Sequence, residues 1–259
     1  MREGDFSEVA GDYAAYRDMI PDIFFAQLEE KGVVLAGRRV IDLGCGTGLF
    51  TRALASRGAA VTGIDPSEDL LDIARKSDPV SKYRRAHAET FPIEEPADLI
   101  TVLRAWHWFD RTAVLRHIAG ALAAKGMLLV VNSVYLPESP IVECTYRIAR
   151  SLNIAMKAAG AMAIEGKRIN GFPAVWFDEW QSWGFAVHHA WEHDYQITFT
   201  PGQWAGKVRS VSWMAAAGVQ KREAVTRELL EALGGRQSAE YSVPHKYSAV
   251  LLVRSQPEI

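Results

Sequence analysis

The chain has 259 residues, of which 49% are hydrophobic, 23% are charged and 10% are aromatic. This length suits one large α/β domain or a domain that carries a cap, and this balance excludes disordered, collagen-like and coiled-coil proteins. The 29 basic and 31 acidic residues give a formal charge of −2, so no strong global field would attract a nucleic acid or an anionic membrane.

The cysteine content and the N-terminal segment indicate an intracellular setting. Only Cys45 and Cys144 are present, too few for the disulfide framework of a small secreted domain, and we expect both to be reduced. The first residues are polar and acidic, and no apolar stretch of about 20 residues follows. We therefore expect a cytoplasmic protein with neither a signal peptide nor a membrane-spanning helix.

Short β-branched or Leu-rich runs alternate with helical patterns from Arg39 onward, which predicts a parallel sheet flanked by helices. Strands are predicted at 40–43, 60–64, 82–85, 98–103 and 127–131. Helices are predicted at 49–57, from Ser67 to about Lys76, and after Asp110, with Ser67 as an N-cap. The fold class is therefore α/β, with a doubly wound and mostly parallel sheet.

The pattern changes after Asn132, where prolines interrupt it and an Ala/Met-rich helical stretch runs to about Ile164. Trp176, Trp180 and Trp183 follow, so this region reads as an insertion and not as another βα unit. The last part of the chain is predicted to hold strands at 185–199 and 241–253, and helices at 203–217 and 222–233. Two late strands separated by helices suit an antiparallel edge added to a parallel sheet.

The first strand runs into the glycine-rich segment Asp42-Leu43-Gly44-Cys45-Gly46-Thr47-Gly48 and then into a helix. Glycine lets the backbone approach a ligand closely, and the start of the helix offers unpaired N–H groups. A dinucleotide fingerprint needs a third glycine at position 49, where Leu49 stands, so the spacing disfavours a nicotinamide or flavin dinucleotide. The alternative is a tight turn that binds no ligand.

Asp65 ends the second strand 21 residues after Gly44, the separation at which an acidic side chain meets a ribose in doubly wound folds. A carboxylate there can accept hydrogen bonds from two ribose hydroxyls. The alternative is a helix N-terminal acid beside Pro66 and Ser67, and both roles can coexist.

These two segments resemble the first and second motifs of the class I S-adenosylmethionine-dependent methyltransferases, and Ala86–Pro92 resembles their adenine loop. The resemblance implies a Rossmann-like sheet of seven strands and S-adenosyl-L-methionine as cofactor. His87 stands where many members have Asp, whereas a backbone contact from Ala88 does not depend on that side chain. The implied cofactor-binding residues are Tyr16, Arg17, Asp42, Gly44, Cys45, Gly46, Gly48, Asp65, Pro66, Ser67, His87, Ala88, Glu89 and Leu103.

The segment Leu103–Asp110 is similar to the His-Trp-Phe signature of a small-molecule branch that includes trans-aconitate methyltransferase-like proteins, and Asp12–Arg17 resembles the N-terminal segment of that branch. The resemblance is strong over about 6–132. It implies a single methyltransferase domain with an N-terminal cap at 1–32, a cofactor-binding core at 33–136, a helical insertion at 137–184 that forms a substrate lid, and C-terminal strands and helices at 185–259.

His107 lies just past the carboxyl end of strand four, where open α/β sheets bind ligands, and it is our candidate catalytic residue. It would remove a proton from a hydroxyl acceptor, or only orient a carboxylate acceptor that is already ionised. The alternative is a structural histidine that caps the next helix. We expect an apolar, planar substrate site with aromatic walls and a basic contact. Its predicted residues are Tyr13, Arg104, Trp106, Trp108, Trp176 and Trp213. For each of them the alternative to substrate binding is ordinary packing or surface exposure.

The expected function is methyl transfer from S-adenosylmethionine to an oxygen atom, carboxylate or hydroxyl, of a small molecule in specialised metabolism. The alternatives are N- or C-methylation of a small aromatic metabolite, or a non-catalytic regulatory protein that binds S-adenosylmethionine. His188, His189 and His193 do not share one face of a strand, so we expect no metal site. We expect a monomer or homodimer that binds neither nucleic acid nor membrane.

Overall fold

A computed structural model describes Gly11, Tyr16 and residues 20–157, 160–235 and 239–255. The chain divides into two compact units. The sheet unit comprises Met19–Ser133, Ile164–Glu192 and Tyr247–Ile259, and the helical unit comprises Met1–Asp18, Val134–Ala163 and His193–Lys246. The expected insertion at 137–184 is thus divided between the two units after Ala163.

The strands alternate with helices as the sequence predicted. In chain order the strands are β1 (Arg39–Leu43), β2 (Ala60–Asp65), β3 (Lys82–Arg85), β4 (Ala97–Leu103), β5 (Leu122–Tyr135), β6 (Arg168–Ile169), β7 (Phe172–Pro173), β8 (Phe185–Phe199) and β9 (Tyr241–Arg254). The helices are α1 (Asp22–Glu30), α2 (Leu49–Ala55), α3 (Glu68–Ser77), α4 (Arg111–Ala121), α5 (Pro140–Ser151), α6 (Ala174–Ser182), α7 (Pro201–Arg209), α8 (Ser212–Ala215) and α9 (Val219–Ala232).

Seven of these strands form one sheet in the order β3-β2-β1-β4-β5-β9-β8, and β6 pairs with β7 in a separate hairpin. The pairs from β3 through β5 are parallel, and the late strands supply the antiparallel edge. This confirms the predicted α/β, Rossmann-like fold class. From β1 the sheet continues to β2 and β3 on one side and to β4 and β5 on the other. Open α/β sheets bind ligands at such a switch point, at the carboxyl ends of the strands.

Strand β5 begins at Leu122, five residues before the predicted start at Met127. The extension is accommodated by a register shift against β4 between Ala97 and Leu99. Gly126 lies at this irregularity, and a Cβ atom there would come within 2.8 Å of the Ala97 carbonyl oxygen. Lys125-Gly126, a pair typical of a turn, is therefore part of the strand here, and its glycine allows the close approach of two strands.

Two helices of the helical unit are shorter than predicted. Helix α5 ends at Ser151 and not near Ile164, because Asn153 adopts a left-handed backbone (φ 50°) that stops the helix. The predicted helix at 203–217 is divided into α7 and α8. The Ser210 hydroxyl donates to the Lys207 carbonyl oxygen at 2.8 Å, and Val211 is extended, so the side chain of Ser210 competes with the helical pattern.

The core of the helical unit surrounds the fully buried Trp204. Its indole N–H donates to the Thr145 hydroxyl at 2.7 Å, so the one polar atom of this ring is satisfied. Trp213, a predicted substrate residue, is half-buried against the same core. Among the described residues, none of the helices is both long and apolar enough to cross a membrane.

Candidate active site

The glycine-rich turn follows β1, and three of its residues have left-handed backbones. The φ angles of Gly44, Gly46 and Gly48 are 69°, 54° and 73°. A Cβ atom on Gly44 would overlap the Cβ atom of Ala105, and one on Gly48 would come within 2.5 Å of the Tyr83 hydroxyl. Both the backbone angle and the space therefore require glycine at positions 44 and 48.

Asp65 joins this turn to the segment that follows β2. One carboxylate oxygen accepts the backbone N–H of Gly46 at 2.9 Å, and the other accepts the backbone N–H of Ser67 at 2.9 Å. Burial raises the pKa of Asp65, while these two N–H groups lower it. Each oxygen retains a lone pair beyond the bond it makes, so the carboxylate can still accept a ribose hydroxyl.

Asp42, predicted to bind cofactor, lies in the interior beneath the turn. Its oxygens accept hydrogen bonds from the Thr51 hydroxyl of α2 at 2.7 Å and the Thr101 hydroxyl of β4 at 2.9 Å. Burial is the main cause that raises the pKa of Asp42 to about 6, and the charge of Asp65 adds to it. In this structure the side chain of Asp42 links β1 to α2 and to β4, and a contact with cofactor stays a prediction.

Tyr83 supports the turn from below, and the sequence analysis did not identify it. Its ring lies against the positions of Gly48 and Gly63, where a Cβ atom would come within 2.9 Å of the ring or closer. Its hydroxyl donates to a carboxylate oxygen of Asp78 at 3.1 Å. The only signal in the sequence is an aromatic residue at an inward position of the short strand β3.

The loop after β3 contacts the neighbouring loops through one backbone and one side-chain hydrogen bond. The Ala86 N–H donates to the Asp65 carbonyl oxygen at 3.2 Å, and a Glu89 carboxylate oxygen accepts the Asp110 N–H at 3.0 Å. His87 is exposed, whereas Ala88 is buried. This loop therefore connects the end of β2 to the N-terminus of α4, and its side chains are placed at the carboxyl edge of the sheet.

The segment between β4 and α4 carries the candidate catalytic residue. It begins at Arg104, which has a left-handed backbone (φ 58°), and Trp106–Trp108 forms one 3-10 turn. The Arg104 guanidinium donates to the Ser133 hydroxyl at 3.3 Å. His107 and Trp108 are half-buried with ring centroids 4.8 Å apart. A left-handed arginine is strained, and such strain is common at functional sites.

Trp106 and Trp176, both predicted to bind substrate, pack in one buried aromatic cluster. The ring of Trp180 lies 6.0 Å from Trp106 and 6.4 Å from Trp176, centroid to centroid, and all three are at most 2% exposed. Within the described part of the chain, none of the three indole N–H groups has a hydrogen-bond partner. The three rings are packed against one another as in an ordinary aromatic core, and contact with a substrate stays a prediction.

Helix α6 is fastened to α4 beside this cluster. Arg111 donates from Nε and Nη2 to the two carboxylate oxygens of Glu179 at 2.6 and 2.8 Å, and its guanidinium lies 5.6 Å from the ring centre of Trp176. A two-point ion pair of this kind has a defined direction as well as energy. The ion pair anchors the end of the segment between β4 and α4, which carries His107. The sequence analysis placed α6 in a substrate lid and did not predict this ion pair.

The remaining predicted site residues are distributed as follows. Leu103 is half-buried at the end of β4, and the ring of Tyr16 packs against Gly206 within the helical unit. Tyr13 and Arg17 lie outside the described residues. Across the described residues, no group of three His, Cys, Asp or Glu side chains is placed to hold a metal ion.

The buried carboxyl of Asp42 predicts a pH dependence of stability. The folded protein binds its proton more tightly than the unfolded chain, because the pKa rises from 3.8 to about 6. This contribution stabilises the fold fully below the unfolded pKa of 3.8 and is lost as the pH rises through about 6. At about 1.4 kcal/mol for each pKa unit, it amounts to about 3 kcal/mol.

We expect the variant Asp42→Asn to lack this dependence, since an amide does not titrate, while the Thr51 and Thr101 hydroxyls can each donate or accept. Urea unfolding of the wild type and the variant from about pH 4 to pH 8 gives the free energy of unfolding of both proteins. Between about pH 4 and pH 7 the wild type should lose about 2 kcal/mol relative to the variant, because part of the contribution is already lost at pH 4, above the unfolded pKa of 3.8. A difference between the two proteins that stays constant with pH would contradict this account of Asp42.

Comparison with known proteins shows which proteins this chain resembles. Residues 41–130 match the family model described as "Methyltransferase domain". An uncharacterised methyltransferase of Mycobacterium tuberculosis is 37% identical over 97 residues, which are 37% of this chain and 40% of that protein. The trans-aconitate 2-methyltransferase of Methylobacterium radiotolerans is 29% identical over 211 residues, with 75% of this chain and 74% of that protein covered.

A solved structure has the same fold. The methyltransferase of Thiobacillus denitrificans, in complex with S-adenosyl-L-homocysteine, aligns with a TM-score of 0.54 at 16% identity and covers 98% of this chain and 100% of that one. The match to the mycobacterial relative spans only about two-fifths of that protein. Residues 41–130 are therefore similar to a methyltransferase domain, and the chain has the Rossmann-like fold of the solved methyltransferase.

Proposed function

We propose that this protein transfers a methyl group from S-adenosylmethionine to an oxygen atom, carboxylate or hydroxyl, of a small molecule in specialised metabolism. The observation that carries the proposal is the Asp65 carboxylate, which bonds the N–H groups of Gly46 and Ser67 at the carboxyl edge of β2. This carboxylate both shapes the glycine turn and keeps lone pairs for a ribose.

The residues of the turn fit the methyl donor. Gly44 and Gly48 keep the left-handed backbone of the turn, with Ala105 and Tyr83 packed where their Cβ atoms would lie, and the methionine part of the donor is proposed to lie against this backbone. Ala88, Glu89 and the exposed His87 are available for the adenine. When bound, the donor supplies an electrophilic methyl group on a positively charged sulfur, and aromatic faces such as that of Trp108 assist the binding of such a cation.

His107 and Arg104 are the proposed contacts of the acceptor. With a hydroxyl acceptor, a neutral ring nitrogen of His107 takes the proton as the oxygen becomes a nucleophile. With a carboxylate acceptor, the oxygen is already ionised at neutral pH, and His107 and Arg104 orient it. The similarity to a trans-aconitate 2-methyltransferase supports an acidic acceptor. Methylation at nitrogen or carbon is the alternative reaction.

The near-neutral charge of the chain supports a small-molecule partner over nucleic acid or membrane, and we propose a monomer or homodimer of the cytoplasm. A non-catalytic protein that binds the donor is the competing function. The deciding experiment incubates the protein with a labelled methyl donor and a panel of carboxylic and phenolic metabolites, and identifies the product by mass. Donor binding without turnover of any compound would favour the non-catalytic function.

A first test of the donor site is the variant Gly44→Ala. It places a Cβ atom against Ala105 on a left-handed backbone, so we expect the affinity for S-adenosylhomocysteine, measured by calorimetry, to fall at least a hundredfold.

The matched control is Gly120→Ala, because Gly120 lies in α4 and a Cβ atom there would meet no atom within 4 Å. This control should keep the affinity and gain up to about 1 kcal/mol of helix stability. Equal affinities of the two variants would remove the glycine turn from the donor site.

A second test separates the two roles of His107. We expect His107→Ala to lower kcat about 100- to 10,000-fold with a hydroxyl acceptor, since it removes a general base. With a carboxylate acceptor it should raise KM and leave kcat within about threefold, because no proton is removed. Steady-state kinetics on whichever acceptor the panel identifies measures both constants. Unchanged kcat and KM would take His107 out of the site.

A further inference from the structure

The loop at 86–92 in the sheet unit has one buried anchor in its second half. Phe91 is 1% exposed and is the only buried residue between Ala88 and Ala97, a stretch that the structure describes in full. Residues 92–96 after it are all exposed. The position of the loop therefore depends on what holds Phe91. This is the loop that the proposed function assigns to the adenine of the methyl donor.

Helix α4 holds this anchor through His117. The Nε2 atom of His117 lies 2.6 Å from the Phe91 carbonyl oxygen. A carbonyl oxygen can only accept, so Nε2 carries the hydrogen and donates it. The two rings also meet edge to face, with centroids 4.4 Å apart and planes at 86°. His117 thus contacts both the backbone and the side chain of Phe91, and the sequence analysis assigned it no role.

A second hydrogen bond joins the same loop to α4. The backbone N–H of Asp110, the N-cap residue of α4, donates to a Glu89 carboxylate oxygen at 3.0 Å. The loop is therefore fixed to one helix at two points, through Glu89 and through Phe91. That helix directly follows the segment that carries His107. The loop and the segment with the candidate catalytic residue consequently share one support.

The turn before Phe91 offers a hydrogen-bond donor to a base. The Thr90 N–H donates to the His87 carbonyl oxygen at 3.1 Å, which closes the turn. The Ala88 N–H inside this turn donates to none of the described residues, so it can donate to a ligand. Adenine carries an acceptor nitrogen beside its amino group, whereas hypoxanthine carries an N–H at that position. An N–H donor that is held in place therefore distinguishes the two bases.

We propose that His117 is a positioning residue for the methyl donor, and that its hydrogen bond to Phe91 sets the preference of the site for adenine. The bond holds the loop where the Ala88 N–H meets the acceptor nitrogen of the base. His117 acts through the loop and contacts neither the donor nor the acceptor of the methyl group. This inference rests on the proposed function for the identity of the ligand.

The test compares two ligands that differ only in the base, S-adenosylhomocysteine and S-inosylhomocysteine. By calorimetry, the wild type should bind the adenosine compound about tenfold more tightly or better, because hypoxanthine would turn an N–H toward the Ala88 N–H. The variant His117→Leu lacks the donor, so we expect this ratio of affinities to fall to about threefold or less. A general loss of stability would weaken both ligands alike and leave the ratio unchanged. An unchanged ratio in His117→Leu, or no preference in the wild type, would overturn the proposal.

Two matched variants separate the hydrogen bond from other effects of the substitution. His117→Gln keeps an N–H donor on a side chain of similar reach, and Gln and Leu both favour a helix. It should keep the wild-type ratio within about twofold. Ile118→Val removes one methyl group from the buried face of α4 and leaves His117 in place, so it should also keep the ratio. A loss of the ratio in either variant as large as in His117→Leu would overturn the hydrogen bond as its cause.

A measurement without any ligand checks the hold of His117 on the loop. Amide hydrogen exchange reports how often a hydrogen bond opens, and the Thr90 N–H is bonded within the turn. We expect this N–H to exchange about tenfold faster in His117→Leu than in the wild type or in His117→Gln. Equal rates in the three proteins would overturn the proposal. Failure of S-adenosylhomocysteine to bind the wild type would instead overturn the proposed function, and the exchange rates would still report on the loop.

Discussion

The two hydrogen bonds that Asp65 accepts hold together the parts of the site that chain order separates. A carboxylate is the side chain suited to this position, because it presents acceptors to both the Gly46 and the Ser67 N–H groups, whereas an amide would turn a donor toward one of them. Burying a charge is costly unless hydrogen bonds compensate it, and these two bonds do so. The same bonds fix a turn whose glycines would otherwise be free to sample many backbone conformations.

Two neighbouring strands carry buried carboxyl groups, and they are stabilised differently. Asp65 accepts backbone N–H groups at the edge of the sheet, while Asp42 accepts the hydroxyls of Thr51 and Thr101 in its interior. Backbone donors at a turn support a charged form, and two hydroxyls in a dry interior compensate it less, which agrees with the pKa of about 6 at Asp42. The negative charge near the turn is therefore held on Asp65, at the carboxyl edge of the sheet, and not on Asp42 in the interior.

The features that could be predicted from the sequence depend on local backbone chemistry. The glycines of the turn, the position of Asp65 and the N-caps Ser67 and Asp110 follow from φ angles and from hydrogen bonds over a few residues. Tyr83 beneath the turn and Glu179 beside Arg111 depend on contacts between distant segments, for which one sequence holds no signal. The division of α7 from α8 at Ser210 was missed because propensity does not reveal which hydroxyl bonds back to the helix.

The anchoring of α6 bears on how methyl transfer would be catalysed. In-line displacement gains most from holding donor and acceptor aligned, so the segment that carries His107 must be rigid. Arg104 is held in a left-handed conformation at one end of that segment, Arg111 is ion-paired to Glu179 at the other, and Trp106 is buried against Trp180 between them. Together these restraints compensate the strain at Arg104, which a looser segment would relax. Helix α6 thus restrains the segment that carries the proposed acceptor contacts, and the predicted role of 137–184 as a substrate lid stays a prediction.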